Sequence, residues 1–144
     1  MPPVTQYAQP SDLTAFGISA DALDAMDPAD VVRSLAGSSA VIDSALRSRY
    51  TLPFTRVGLD VTRCCCIISV YDLLVVRGYN PAAGADENLL LRVQQERKWL
   101  SQVAAGLMTP DVADSSGDVT QTEGTRGRVV SAPSRGWSWR DRCR

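Results

Sequence analysis

Histidine is absent from the chain, and that one gap removes much of ordinary enzyme chemistry. The commonest general base goes with it, as do the Ser-His and Cys-His pairs that activate a nucleophile. Aromatic residues are scarce at 6%. No apolar run reaches the roughly 20 residues that a membrane-spanning helix needs. The longest, residues 64–76, is interrupted by Ser69 and Asp72 and reads as buried core. There is no GxSxG, no P-loop and no GxGxxG, and the nearest phosphate-loop look-alike, residues 117–127, lacks the lysine and the following helix. The expectation is a protein that is not an enzyme and has no catalytic residue.

Metal chemistry is poorly provided for as well. Three of the four cysteines, Cys64, Cys65 and Cys66, are consecutive. On a helix they point about 100° apart and cannot converge on one ion or pair with each other. They read as small buried hydrophobes in a reducing compartment, while Cys143 near the end is a candidate exposed thiol. Asp21, Asp24, Asp27 and Asp30 recur every three residues. That spacing matches no calcium loop, Pro28 interrupts any single face, and helix capping is the simpler role for some of them. Neither metal nor cofactor is expected.

What is present is the makeup of one small globular domain. A chain of 144 residues, 44% apolar and 22% charged, falls near the average for soluble proteins. The N-terminus, Met-Pro-Pro-Val-Thr-Gln, has neither the basic residues nor the apolar stretch of a signal peptide, so synthesis in the cytoplasm is expected. Net charge is −1, but its two signs are separated along the chain. Asp12, Asp21, Asp24, Asp27 and Asp30 make the start acidic. Arg126, Arg128, Arg135, Arg140, Arg142 and Arg144, opposed after Glu123 only by Asp141, make the end basic. Two readings stay open: ends that attract each other between subunits, or two independently solvated ends.

Periodicity predicts a mainly α fold, a small bundle of three long helices with one or two short N-terminal ones. Residues 1–10, with three prolines, read as an arm. Ser11 caps a first short helix that Gly17 ends, and Ser19 caps a second over residues 20–26. Asp27 followed by Pro28 is a strong helix start. The helix is expected to run to about residue 49, burying Val32, Leu35, Ser39, Ile42 and Leu46, with Gly37 and its serines allowing another helix to approach. Pro53 marks a turn whose Tyr50, Leu52 and Phe54 need cover.

Residues 59–77 are apolar almost all round, as a central helix would be, and their length favours helix over strand. Gly78, Asn80, Pro81 and Gly84 break the pattern. A last helix over 86–105 carries the stripe Leu89, Val93, Leu100 and Val103, with Trp99 as a core or interface residue and Gly106 as its end. The helical domain is thus 11–107. From 108 to 144 no apolar period is visible, so this stretch reads as an extended arm that would gain order from neighbouring chains. A short strand is expected at 128–132, and Trp137 and Trp139 alternate as strand neighbours do.

The chain also resembles a known family. The resemblance rests on Tyr7-Ala-Gln-Pro-Ser-Asp-Leu13, on Ser39-Ala-Val-Ile-Asp-Ser-Ala-Leu46 leading into Arg49-Tyr50-Thr-Leu-Pro53, and on Trp99-Leu-Ser-Gln-Val-Ala-Ala-Gly106. These segments, over roughly residues 7 to 107, resemble the Mu-like prophage head-tail adaptor proteins of tailed phages. The resemblance implies a helical subunit, made in the host cytoplasm, of a homo-oligomeric, dodecameric ring in the virion neck. That ring would sit between the portal protein and the next neck or tail protein, near the DNA channel and away from any membrane. Related connectors extend terminal arms onto neighbours. The cysteine run and the Arg/Trp-rich end do not align with a family pattern.

The expected contacts of the arm are therefore inferred from residue chemistry. Arg126, Arg128, Arg135 and Arg140 would meet an acidic surface, and Trp137 and Trp139 would fill apolar pockets. The alternative is nucleic-acid binding, in which the same arginines neutralise phosphates and the tryptophans stack on bases. The acidic N-terminal half and the net charge weigh against a dedicated DNA binder.

Overall fold

The structure, a computed structural model, describes residues 6–76 and 84–113. A 3-10 turn at Pro10–Asp12 leads into two short helices, α1 at Leu13–Phe16 and α2 at Ala20–Asp24. The long helices are α3 at Pro28–Leu46, α4 at Leu59–Val76 and α5 at Gly84–Ala105. The expected mainly helical bundle is what forms. Two strands of two residues each, β1 at Arg56–Val57 and β2 at Val112–Ala113, pair antiparallel beside it.

The starts of α2 and α3 follow the sequence signals, whereas Ser11, expected as the first cap, lies inside the 3-10 turn that Gln9 caps, because Pro10 already opens that turn. Ser19 accepts a hydrogen bond from the amide of Ala22, and Asp27 from that of Ala29 with Pro28 in the first turn, so each side chain satisfies an orphan amide. Helix α3 ends at Leu46, short of the expected residue 49, and the turn that follows brings in the aromatic cluster. Its buried stripe is Val31, Leu35, Ser38, Ser39, Ile42 and Leu46. Val31 faces the core and Val32 is 46% exposed, the reverse of the expected register at the first turn. Spacings of four from Val31 to Leu35 and on to Ser39 keep the stripe on one side, whereas Val32 falls off it.

Helix α4 is the centre of the bundle. Val61, Cys64, Cys65, Cys66 and Val70 are fully buried, which accounts for an apolar pattern without a polar face. Helix α3 packs along one side of it and α5 along another, and α1 closes the end of the core. The contacts of Ser34 with Ser69 and of Ser39 with Cys65 run in opposite senses along the chain, so α3 and α4 are antiparallel. The α5 stripe of Leu89, Val93, Leu100 and Val103 is buried as the period requires, and Trp99 lies half-buried against the same core.

The turn after α3 finds its cover within the chain. Phe54 is buried beneath Tyr7, with ring centroids 5.6 Å apart, and beside Tyr50 at 5.9 Å. Tyr7 and Ala8 belong to the stretch that reads as an arm in the sequence, yet both are buried. The amide of Tyr7 donates to Ser39 on α3, its carbonyl accepts from Thr62 on α4, and its hydroxyl donates to Asp43. One residue thereby ties two helices and the aromatic turn together.

No helix among the described residues is long and apolar enough to cross a membrane.

Candidate functional site

Where α3 meets α4, the contact is built from small polar residues. Ser69 on α4 donates to the hydroxyl of Ser38 at 2.8 Å, and Ser34 donates to the carbonyl of Ser69 at 3.0 Å. Ser39 stands 3.5 Å from the sulfur of Cys65. Small side chains let the two backbones approach, and each hydroxyl that becomes buried there has a partner. No buried side-chain nitrogen or oxygen among the described residues lacks one. The approach uses the serines and not Gly37, whose Cβ position faces open space.

Cys65 lies in this seam, and Cys64 and Cys66 are buried beside it on α4. Burial pushes Cys64 up from 9.0 to about 12, with the Glu96 carboxylate acting in the same direction. Burial likewise raises Cys66 to about 12. For Cys65 burial also dominates and raises the pKa, partly opposed by hydrogen bonds from Ser39 and Ser69. Thiolate is the reactive form, and burial disfavours it at all three positions.

Two further polar links brace the bundle. Glu96 on α5 is 4% exposed and accepts from Arg63 on α4, whose Nε lies 3.0 Å from the carboxylate oxygen. The sequence carries a signal for this pair. Glu96 stands three residues after Val93 and four before Leu100, on the buried stripe, and a carboxylate there requires a cationic partner. The Tyr7–Asp43 link has no comparable signal, because Tyr7 lies in a proline-flanked segment without a period.

The root of the C-terminal arm is fixed to the domain by the β1–β2 pair, which the sequence pattern does not announce. Thr55 donates its amide to Ala113 at 2.8 Å, and Gly58 donates to Asp111 at 2.7 Å. Asp111 in turn donates its own amide to Asp60 at 2.9 Å and pairs with Arg56. A Cβ on Gly58 would stand 2.6 Å from the Asp111 carbonyl oxygen, so only glycine permits this approach. Strands of two residues are too short for a period of two to show.

At the opposite end of α4 lies a hollow of about 380 Å³ between that helix and the first turns of α3. Met26, Leu73 and Val76 supply its apolar surface, and Asp27, Asp30, Arg33 and Asp72 supply the charge. Arg33 is held by Asp30 at 2.8 Å. Burial raises the pKa of Asp72, with Arg97 opposing. A second hollow of about 300 Å³ shares Met26 and adds Leu23, Asp24, Val31 and Val32. The larger hollow thus combines apolar and acidic lining residues. No group of three or more His, Cys, Asp or Glu side chains among the described residues is placed to share a metal ion.

The residues expected to bind partners, Arg126, Arg128, Arg135, Trp137, Trp139 and Arg140, lie outside the described residues, as does the strand expected at 128–132. The break expected after α4 falls largely on residues 77–83 and lies outside them too; Gly84 already belongs to α5.

A family model described as Bacteriophage Mu, Gp36 matches residues 5–129, most of the chain. The chain belongs to the bacteriophage Mu Gp36 family. The resemblance to a Mu-like phage protein is thereby borne out, and it extends further along the chain than the three sequence segments that carried it. Every described helix and both strands of this Mu Gp36 family protein fall within the matched span, from Tyr7 to the root of the arm. Arg126 and Arg128 also fall within it, whereas Arg135, Trp137, Trp139 and Arg140 lie beyond. Comparison with curated proteins finds no match.

Proposed function

We propose that this Mu Gp36 family protein is a structural subunit of a phage neck, a head-tail adaptor that forms a ring between the portal protein and the next neck or tail protein. The observation that carries the reading is the family match over residues 5–129. The chemistry of the domain is in keeping with it. The buried thiols are held protonated, and the Glu96 carboxylate and the Tyr7 hydroxyl each have a partner within the fold. On this reading the protein works without catalysis, by fitting copies and neighbours together. Closed head-to-tail contacts would generate the ring, a dodecamer, with the C-terminal arms reaching adjacent components near the DNA channel.

The test is attachment to the portal. Because Val112 and Ala113 pair with β1, the arm is best removed after residue 113, leaving that pairing in place. The shortened chain is expected to keep the helical circular dichroism of the full one and to lose at least about ten-fold in affinity for purified portal, the loss of a single strong anchor. Attachment at full strength would refute the role given to the arm. Retention of the full chain on DNA at low salt, lost as salt rises, would favour the nucleic-acid reading instead.

A further inference from the structure

The root of the basic C-terminal segment and the acidic hollow lie at opposite ends of α4. The described chain leaves the domain at Ala113, paired with β1 beside the start of α4. The larger hollow lies against Asp72, Leu73 and Val76 towards the other end of that helix, roughly 20–25 Å along it by the rise of 1.5 Å per residue. Beyond Ala113 the sequence continues to Arg144, and between residues 126 and 144 it holds six arginines against one aspartate, with Trp137 and Trp139 among them.

From these observations we infer that the hollow between α3 and the end of α4 receives the Trp137–Trp139 segment from the C-terminal arm of a second copy of this chain. The match is one of shape and charge. Buried Met26 and Leu73 with exposed Val76 offer apolar surface to an indole, in a space within the usual range for small-ligand pockets. Val76 is 83% exposed, so a docked ring removes apolar surface from water. Asp27, Asp30 and Asp72 outnumber Arg33 among the lining residues, with Arg97 acting on Asp72 from α5, and the carboxylates attract Arg135 and Arg140 on either side of the tryptophans.

Residues 114–136 span up to roughly 80 Å when extended, enough to cross from one molecule to the next. An exit at one end and a receptor at the other is the polarity of a head-to-tail contact, in which each subunit gives an arm and takes one. The inference rests on the reading of the chain as a protein that assembles with copies of itself, and it names what holds the copies together.

The chain supplies its own reporter, Cys143, four residues after Trp139. Gly37 lines the hollow, and a Cβ there meets nothing within 4 Å, so a cysteine fits without repacking. Full-length chain carrying Gly37→Cys and Cys143→Ser is mixed with unaltered full-length chain under mild oxidation. In that mixture a disulfide joining position 37 to Cys143, identified by peptide mass spectrometry, can form only between copies.

The expected result is such a link, reduced about ten-fold when the unaltered partner is replaced by one carrying Trp137→Ala and Trp139→Ala, and weakened by salt at about 1 M. No link in the mixture overturns the inference. So does a link of undiminished yield without the tryptophans. So does a link found only within one chain, when Gly37→Cys is made with Cys143 kept in the same molecule. Light scattering on the same samples separates the two ideas. A large closed oligomer without the link leaves the ring standing and removes this contact; a link between copies that never close leaves the contact and removes the ring.

Discussion

Arg63 and Glu96 are unequal partners, and the inequality fixes which of them matters more to folding. The carboxylate is buried, while the guanidinium side chain is 54% exposed and in touch with water. Removing Glu96 releases an arginine that solvent can accommodate. Removing Arg63 strands a charge in the core, where the penalty for a broken buried pair is several kcal/mol, reduced here by partial exposure. Arg63→Met is expected to cost about 2 kcal/mol in urea unfolding, and Glu96→Gln clearly less. Equal losses would contradict this account of the pair.

The buried thiols set a stability limit on the alkaline side. Cys64 and Cys66 hold their protons to about pH 12 in the folded chain, whereas an unfolded thiol ionises near 9.0. The folded state therefore binds more protons than the unfolded one between these values, and stability falls as pH rises through that window. Below about pH 9 the contribution is fully present. Each thiol can remove up to roughly 1 kcal/mol per pH unit. Unfolding midpoints measured from about pH 8 to about pH 11 are expected to decline, and Cys64→Ala with Cys66→Ala to flatten the decline. Cys65, raised by burial, and Tyr7, whose hydroxyl burial and Asp43 also push upward, leave a residual slope in that variant.

Between elements, the serine seam of α3 and α4 is a close contact, and size is what it tolerates least. Ser69→Ala removes one hydrogen-bonding group and is expected to cost about 1 kcal/mol. Ser69→Leu forces extra volume between the two helices and is expected to cost about 3 kcal/mol, read from the same unfolding curves. A leucine tolerated as well as alanine would mean that α3 and α4 are not packed through Ser34, Ser38 and Ser69.

The long helices are legible in the sequence because their signals are strong and repeated. Asp27 with Pro28 starts α3, an apolar stretch of helical length marks α4, and the stripe from Leu89 to Val103 marks the buried side of α5. The misplaced details share a physical cause. Adjacent valines at 31 and 32 leave the register of α3 undecided until packing against α4 selects one. Glycine at 37 looks in the sequence like the point of close approach, but the serines around it fill that role while the glycine faces open space beside the hollow. The β1–β2 pair depends on contacts between residues more than fifty apart in sequence, which no local pattern encodes. The acidic hollow is foreshadowed only by its aspartates; Asp72 and Val76, which complete it, are brought there by the antiparallel pairing of α3 with α4.

At the scale of the whole molecule, a domain with its polar groups satisfied inside carries its distinctive chemistry at two ends. One end anchors a basic arm through β1 and β2, and the other opens an acidic hollow. The proposed role joins such a molecule to others, and family membership marks it as a phage protein. The neck reading is tested most directly by electron cryomicroscopy of intact, purified particles of the phage that encodes the chain. The account predicts a ring between portal and tail into which helices of 19, 18 and 22 residues fit in every subunit. Particles complete with head, neck and tail, yet holding no copy of this chain, would contradict it.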